Sequence, residues 1–263
     1  MAGRSRLAEN MLVSERRKHR KRSLLRLLDS LESLPGWAVS SYFPPGLSIS
    51  EIEKTIDMFA GPVEIAGEVS ETVSNSPTGG VLLWGEQGRY LVLPPFPPED
   101  RVSSSGFDVE PLRSLLLRDL TIALVLVRLG AYAVGVFRGE ELVSSKVGTG
   151  HIHSRHKKGG SSQRRFERGR EKQIEYFFER VCTRTRDRLA QYLGEIEHVF
   201  YGGERHTVRE FRRQCRFVTA LDDRVSARLL NVREPRQATL EAAIEEVWAS
   251  QVIEWREEDS IAS

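Results

Sequence analysis

The chain has 263 residues, enough for one large domain or two small ones with an ample core. Its 40% hydrophobic residues are ordinary for a soluble protein, and its 29% charged residues are a somewhat high share. The most apolar stretch, residues 121–137, contains Arg128 and glycines, which favours a pair of buried strands over a membrane span. No signal peptide is expected, because the amino terminus runs straight into charged residues.

The first predicted element is a basic helix. Residues 16–22 are all Arg, Lys or His, and leucines follow at helical spacing up to Leu34, before Pro35 and Gly36 end the pattern. This predicts a basic helical extension over residues 1–34. Its charge favours an RNA or ribosome contact over a merely solvated face.

An amino-terminal α/β part is predicted next, over residues 35–118. It is read from short apolar or alternating runs that are separated by turn-forming residues. In chain order it contains a strand over 37–43, a helix capped by Ser48 or Ser50 and running to Met58, a hairpin of 81–84 with 90–93, and a serine-rich loop over 101–106 that marks an internal boundary.

The second half, residues 119–256, is the more regular one. Its elements are a three-strand meander over 121–127, 131–137 and 141–147, a long helix over 163–193, a strand over 198–201, a helix over 208–215, a strand over 228–232 and a helix over 239–250. Strands and helices alternate, so the predicted fold class is α/β with a mixed sheet and flanking helices. The acidic end, residues 257–263, is expected to fray.

Two cysteines, Cys182 and Cys215, lie far apart without a CxxC motif. We expect two reduced thiols in a cytoplasmic protein, because nothing suggests a disulfide framework. A nucleophilic role for Cys182 is disfavoured, since it falls in a predicted helix beside the core-like Val181 and has no placed histidine.

A basic segment, residues 151–172, joins the meander to the long helix. Its Lys and Arg residues far outnumber Glu167 and Glu171, and such a long exposed loop is expected to become ordered on a partner. Phosphates of a folded RNA are the partner that this charge predicts. The predicted RNA-binding residues are Arg155, His156, Lys157, Lys158, Arg164, Arg165, Arg168, Arg170 and Lys172.

Small residues stand at the centre of this segment. Gly159 and Gly160 allow positive φ angles and close approach to another backbone. Ser161 and Ser162 are expected to cap the helix that starts near Gln163, which leaves amide hydrogens pointing outward. The residues alone therefore predict a tip that docks on nucleic acid, without specifying a reaction.

The segment 132–188 resembles the middle domain of the eukaryotic and archaeal class I peptide release factors, a domain of RNase H-like fold. Residues 132–139 match the strand pair of that domain, residues 157–160 its basic glycine loop, and residues 165–172 the Arg-Phe start of its long helix. Gln163, however, stands two residues past the position of the family's Gly-Gly-Gln glutamine.

Gly160-Ser-Ser-Gln163 instead has the Gly-x-x-Gln form of the Vms-type branch, the tRNA-hydrolase and release-factor-like proteins of ribosome quality control. Residues 221–232 and Trp248 also resemble the bacterial and archaeal members of that branch. The resemblance covers about half of the chain, and its short motif gains specificity from the surrounding strands, loop and helix.

The resemblance implies a codon-independent rescue factor that hydrolyses peptidyl-tRNA. Its partners would be peptidyl-tRNA and the RNA of the large ribosomal subunit, with no membrane, metal or small-molecule cofactor. Gln163 has no useful pKa, so its implied role is to hold a water molecule at the ester, within a catalytic loop formed with Gly159, Gly160, Ser161 and Ser162. A backbone amide near Gln163 is a candidate for stabilising the oxyanion.

Two alternatives remain open from the sequence. The same loop is also compatible with cleavage of the tRNA near its CCA end. A non-catalytic adaptor of the Pelota type is the second, since those proteins resemble this domain without the glutamine motif. A metal enzyme is disfavoured, because His151, His153 and His156 have no Asp, Glu or Cys beside them at ligand spacing.

Overall fold

A computed structural model of the chain describes residues 12–58, 63–153 and 161–257, with the side chains of residues 63–64 and 161–164 outside this description. The chain divides into two compact units. One is Arg118–Val247, and the other combines Met1–Leu117 with Trp248–Ser263. This differs from the predicted division, which kept residues 119–256 together.

The strands are β1 (Leu12–His19), β2 (Ala38–Phe43), β3 (Gly80–Gly85), β4 (Arg89–Leu93), β5 (Val102–Ser105), β6 (Thr121–Arg128), β7 (Ala131–Arg138), β8 (Glu141–Thr149), β9 (His198–Gly203) and β10 (Ser250–Glu257). The helices are α1 (Lys21–Glu32), α2 (Ile49–Asp57), α3 (Val63–Ser74), α4 (Glu110–Leu117), α5 (Ser161–Leu189), α6 (Arg205–Gln214) and α7 (Gln237–Val247), with 3-10 turns at Ala190–Tyr192 and Arg216–Arg224. None of the helices so described combines the length and the apolar character that a membrane crossing requires.

The strands of the first unit form one sheet in the order β1-β10-β4-β3-β2-β5, with every neighbouring pair antiparallel. All residues of β2 and β3 are buried, so these strands are covered on both faces. Helices α2 and α3 pack on one face, where Phe43, Ile56 and Val69 share a core with Trp84 and Trp255. The hairpin of β3 with β4 is confirmed, and the predicted helix begins after Ser48, whose capping box with Glu51 fixes its start.

The predicted basic amino-terminal helix is wrong in its first part. Within residues 12–34, the basic run up to His19 lies in β1, and only Lys21–Glu32 is helical. The backbone of β1 pairs along its whole length with β10, from Leu12 opposite Glu257 to His19 opposite Ser250. A partner so distant in sequence leaves no local signal, and β10 itself was not predicted.

The serine-rich segment 101–106 is also not a loop. Its central residues form β5, which pairs antiparallel with β2. Ser41 and Ser103 approach to 3.0 Å between their hydroxyl oxygens across this pair. Serine is a poor strand former by propensity, and the pairing with a buried strand decides its conformation here.

The second unit has a mixed sheet in the order β8-β7-β6-β9. The predicted meander is confirmed as β6, β7 and β8 in antiparallel pairing, and β9 joins β6 in parallel. Helices α5 and α6 pack on one face of this sheet, and α7 packs on the other. On the α7 face, Leu240 lies so close to Gly135 that a Cβ added to Gly135 would be 2.8 Å from Leu240 Cδ2. The predicted α/β class with a mixed sheet and flanking helices is therefore confirmed.

The predicted strand over 228–232 is reduced to a single isolated bridge between Gly202 and Leu230. Two backbone hydrogen bonds hold it, from Leu230 N–H to the Tyr201 carbonyl at 2.9 Å and from Gly203 N–H to the Leu230 carbonyl at 3.1 Å. The predicted carboxy-terminal fray begins one residue early, since Glu257 belongs to β10, and residues 258–263 lie outside the described residues.

The expectation of two reduced thiols is contradicted, because Cys182 and Cys215 form a disulfide with a Cα–Cα distance of 5.3 Å. Cys182 lies in α5 and Cys215 directly follows α6. Both residues pack into the core between these helices and the sheet, which brings them together across 33 residues of sequence.

Candidate nucleic-acid interface

The predicted catalytic loop leads into the start of α5. Gly159 and Gly160 lie outside the described residues, as do Arg155, His156, Lys157 and Lys158. The next four residues form the first turn of α5 and are described by their backbone alone: Ser161, Ser162, Gln163 and Arg164. The prediction that a helix begins near Gln163 is confirmed.

Residues 161–172 are called the α5 tip here. From Arg165 to Gly169 every residue is exposed, and Phe166 keeps 61% of its surface in solvent. Of the predicted RNA-binding residues, Arg165, Arg168 and Lys172 are exposed, and Arg170 is half-buried. The first turn of α5 carries no acidic residue, so the positive end of the helix dipole and the arginines add their attraction for anions.

The tip is fixed at its rear by two hydrogen bonds to the backbone that leaves β8. The His153 N–H donates to Gln173 Oε1 at 3.0 Å, and Arg170 Nε donates to the His153 carbonyl at 3.0 Å. Arg170, which was predicted as an RNA contact, therefore also stabilises the local structure by holding the backbone of His153. Twelve residues separate Ser161 from Gln173, so the helix start lies about 18 Å along the axis from this attachment.

Residues 177–189, called the α5 base, are held in the core of the second unit. Phe177 and Phe178 are 2% and 1% exposed, and Val181 and Leu189 are fully buried, which confirms the prediction that the phenylalanine pair is core. The disulfide joins this base to the end of α6. One helix thus combines a firmly held base with a projecting, charged tip.

Other arginines of the second unit are neutralised by neighbouring carboxylates. On α6, Arg213 pairs with Glu210, and hydrogen bonds from Arg213 and Gln214 lower the pKa of the Glu210 carboxyl to about 2. Arg212 pairs with Asp222 at 2.7 Å. Neither α5 nor α6 carries an acidic residue in its first turn, and the α5 tip contains Glu167 and Glu171 farther along the helix.

The histidines of the basic segment do not form a described metal site. His151 and His153 lie edge to face with ring centroids 4.8 Å apart, and His156 is outside the described residues. Among the described residues, no group of three or more His, Cys, Asp or Glu side chains is placed to hold a metal ion.

A groove beside the hydrogen bonds that join His153 to α5 was not anticipated from the sequence. It runs between the end of β8 and α5, and has a volume of about 570 Å³. On the α5 side, the groove is lined by residues that lie three or four positions apart and so share one face of the helix: Gln173, Tyr176, Arg180 and Thr183. That spacing was available in the sequence, but nothing in the sequence placed Gly150 and His151 opposite it.

Comparisons with known proteins show which family the chain resembles. The family model of the Actinobacteria/chloroflexi VLRF1 release factor matches residues 120–253. Peptide chain release factor subunit 1 of Aeropyrum pernix is 27% identical over 204 residues, which cover 67% of this chain and 53% of that protein. The same subunit of Methanopyrus kandleri is 24% identical over 233 residues, with 78% and 56% covered. The chain thus spans about half the length of the curated relatives it matches.

Two solved structures are similar at a lower level. The archaeal translation termination factor aRF1 has a TM-score of 0.38 and 20% identity, covering 88% of this chain and 73% of that one. The Vms1 mitochondrial localization core has a TM-score of 0.38 and 12% identity, covering 86% and 92%. The predicted relationship to release factors is confirmed by the family match, which covers just over half of the residues. The chain belongs to the Actinobacteria/chloroflexi VLRF1 release factor family.

Proposed function

We propose that this protein is a codon-independent ribosome-rescue factor that hydrolyses peptidyl-tRNA in the large ribosomal subunit of the cytoplasm. One observation carries the proposal: the Gly-x-x-Gln motif ends in the first turn of a helix whose exposed, arginine-rich tip projects from a buried and cross-linked base. The family match to release factors supports it.

The projection of the tip fits a site that is completed by another molecule. Gln163 lies ten residues before Gln173, about 15 Å along the helix axis from the point where Gln173 holds the backbone that leaves β8. Such a reach suits a deep, RNA-walled cavity, where the arginines of the tip neutralise phosphates. The catalytic loop of Gly159 to Gln163 then meets the terminal adenosine of the tRNA.

The proposed reaction is attack of water on the ester carbonyl carbon. A new bond forms between the water oxygen and this carbon, the bond to the ribose 3′ oxygen breaks, and a proton moves from the water to that leaving oxygen. Gln163 holds the water by its carboxamide and exchanges no proton itself, so the catalysis is by positioning. Helix N–H groups beside Gln163 supply donors for the oxyanion.

The test uses purified protein and isolated large subunits that carry labelled peptidyl-tRNA, with no other factor present. We expect free peptide together with a tRNA that keeps its intact 3′ adenosine. Because isolated large subunits contain no decoding site, release there also establishes codon independence.

Each alternative has its own outcome in the same assay. If sequencing shows a tRNA shortened at its 3′ end, the reaction is cleavage near the CCA end and not ester hydrolysis. Binding to the subunit without release of peptide would favour the non-catalytic adaptor. Either result contradicts the proposed hydrolysis.

A further inference from the structure

The groove between β8 and α5 has a chemistry of its own, apart from Gln163. The residues that line it all belong to the second unit: Gly150, His151, Gln173, Tyr176, Phe177, Glu179, Arg180, Thr183 and Arg184. Its volume of about 570 Å³ lies within the usual range for a site that holds one small organic group.

An aromatic ring stands out on the α5 wall. Tyr176 keeps 70% of its surface in solvent, although its neighbour Phe177 is buried beneath the groove. A tyrosine ring that is mostly exposed presents a flat face to the solvent, and flat faces of this kind bind unpaired bases by stacking.

Basic residues line the groove together with this ring. Arg180 and Arg184 follow Tyr176 on the same helical face, and His151 lies on the opposite wall. Glu179 is the single acidic residue of the lining, and Arg184 also pairs with Asp187, outside the lining, at 3.3 Å. Arg180 is held in place by donating from Nη2 to the Thr149 carbonyl at 2.8 Å. The position of its guanidinium is therefore set before any ligand arrives.

A glycine keeps the two walls close. A Cβ on Gly150 would stand 2.5 Å from Arg180 Nη2 and 2.7 Å from Phe177 Cδ2, so a larger residue would push α5 away from β8. The wall of the groove is thus built for close contact between the strand end and the helix.

We infer that this groove binds one unpaired nucleotide of RNA, with its base stacked on Tyr176 and its phosphate facing Arg180 and Arg184. An acidic peptide would satisfy the arginines but would leave the Tyr176 face uncovered. This inference rests on the proposed function for the source of the RNA. Tyr176 is 13 residues beyond Gln163, so the nucleotide would lie about 20 Å along the helix from the catalytic loop.

The test measures binding of short single-stranded RNA that carries the fluorescent base 2-aminopurine, which is quenched when it stacks. The full chain is expected to quench it. We expect Tyr176→Ala to bind about 10-fold more weakly and to lose the quench, whereas Tyr176→Phe keeps both, because stacking needs the ring and not the hydroxyl.

A matched pair of arginines separates this site from general attraction by charge. Arg184 lines the groove, and Arg186 is exposed two residues later on the same helix, outside the lining. Arg184→Ala is expected to weaken binding several-fold and Arg186→Ala much less. Equal losses in the two variants, unchanged quenching in Tyr176→Ala, or displacement of the RNA by an acidic peptide would each overturn the inference.

The source of the nucleotide is resolved by comparing RNA that ends in CCA with RNA of the same length and another sequence. Preference for the CCA end would identify tRNA, and equal binding would identify a ribosomal strand. Gln191→Ala, at an exposed position just beyond the carboxyl end of α5, is expected to bind both RNAs as the native chain does. If the native chain releases no peptide but still quenches the base through Tyr176, the proposed function is wrong and the nucleotide site is supported.

Discussion

The tip and the base of α5 belong to one continuous helix but have opposite surroundings. The base packs its phenylalanines between the sheet and α6 and is joined to the end of α6 by a disulfide. The tip exposes every residue from Arg165 to Gly169. This contrast indicates that the two segments have different roles: the base stabilises the second unit, and the tip is available for a partner. Substitutions in the base should therefore affect unfolding, and those in the tip should affect binding and reaction.

The largest expected effect on stability comes from a phenylalanine in the base. Phe178→Ala removes a side chain that is 1% exposed and leaves a cavity, so we expect the free energy of unfolding to fall by about 3–5 kcal/mol. The same substitution at Phe166, which is 61% exposed, should change it by less than about 1 kcal/mol. Urea unfolding followed by circular dichroism compares the two. Equal losses would break the contrast between tip and base.

Reduction of the disulfide is expected to have the next largest effect. Opening the loop closed by Cys182 and Cys215, which are 33 residues apart, should lower the free energy of unfolding by roughly 4 kcal/mol in the chain-entropy model. The comparison is between urea midpoints with and without a reductant. The double variant Cys182→Ser/Cys215→Ser is the control and should not respond to reductant. A native chain that is equally insensitive would show that the bond does not stabilise the base.

The arginines of the tip should control RNA affinity and leave stability unchanged. Arg165→Ala and Arg168→Ala each remove an exposed guanidinium, and each should weaken binding to large subunits several-fold and reduce the salt dependence by about one phosphate contact. Binding measured across a range of salt concentrations gives the slope. A slope that stays the same in both variants would mean that the tip does not touch phosphates.

Two glycines sharpen the contrast further, with the smallest expected effects. Among the described residues, no atom outside the neighbouring helix backbone lies within 4 Å of a Cβ placed on Gly169 in the tip. Gly169→Ala should therefore stabilise α5 by up to about 1 kcal/mol through helix propensity. Gly150→Ala should destabilise the second unit, because its Cβ would press on Phe177. Thermal unfolding should shift upward for the first variant and downward for the second. Shifts of the same sign would contradict this account of the two environments.

Periodicity in the sequence was sufficient for the meander and for α5, because long apolar patterns record which face of an element is buried. It was insufficient wherever the partner is remote. The strand β1 depends on β10, and the serine-rich strand β5 depends on β2. Its basic composition and the leucines that follow gave β1 the pattern of a helix start.

The site could be predicted in its motif but only partly in its geometry. Spacing and resemblance predicted the glycines, the serines and Gln163 as a catalytic loop, which stays a prediction, and they also predicted the helix start near Gln163, which the structure confirms. Pairing of Cys182 with Cys215, the attachment of His153 to Gln173 and the groove beside Tyr176 all depend on contacts between elements. Contacts of this kind carry no signal within a short window of sequence.

The central claim is that Gln163 at the α5 tip positions the water that hydrolyses peptidyl-tRNA. The most direct measurement is the single-turnover rate of peptide release from isolated large subunits by Gln163→Ala, with Gln191→Ala as the control at an exposed glutamine just beyond the carboxyl end of α5. We expect both variants to bind the subunit and to unfold as the native chain does, and Gln163→Ala alone to release peptide about 100-fold or more slowly. Release by Gln163→Ala at the native rate would contradict this claim.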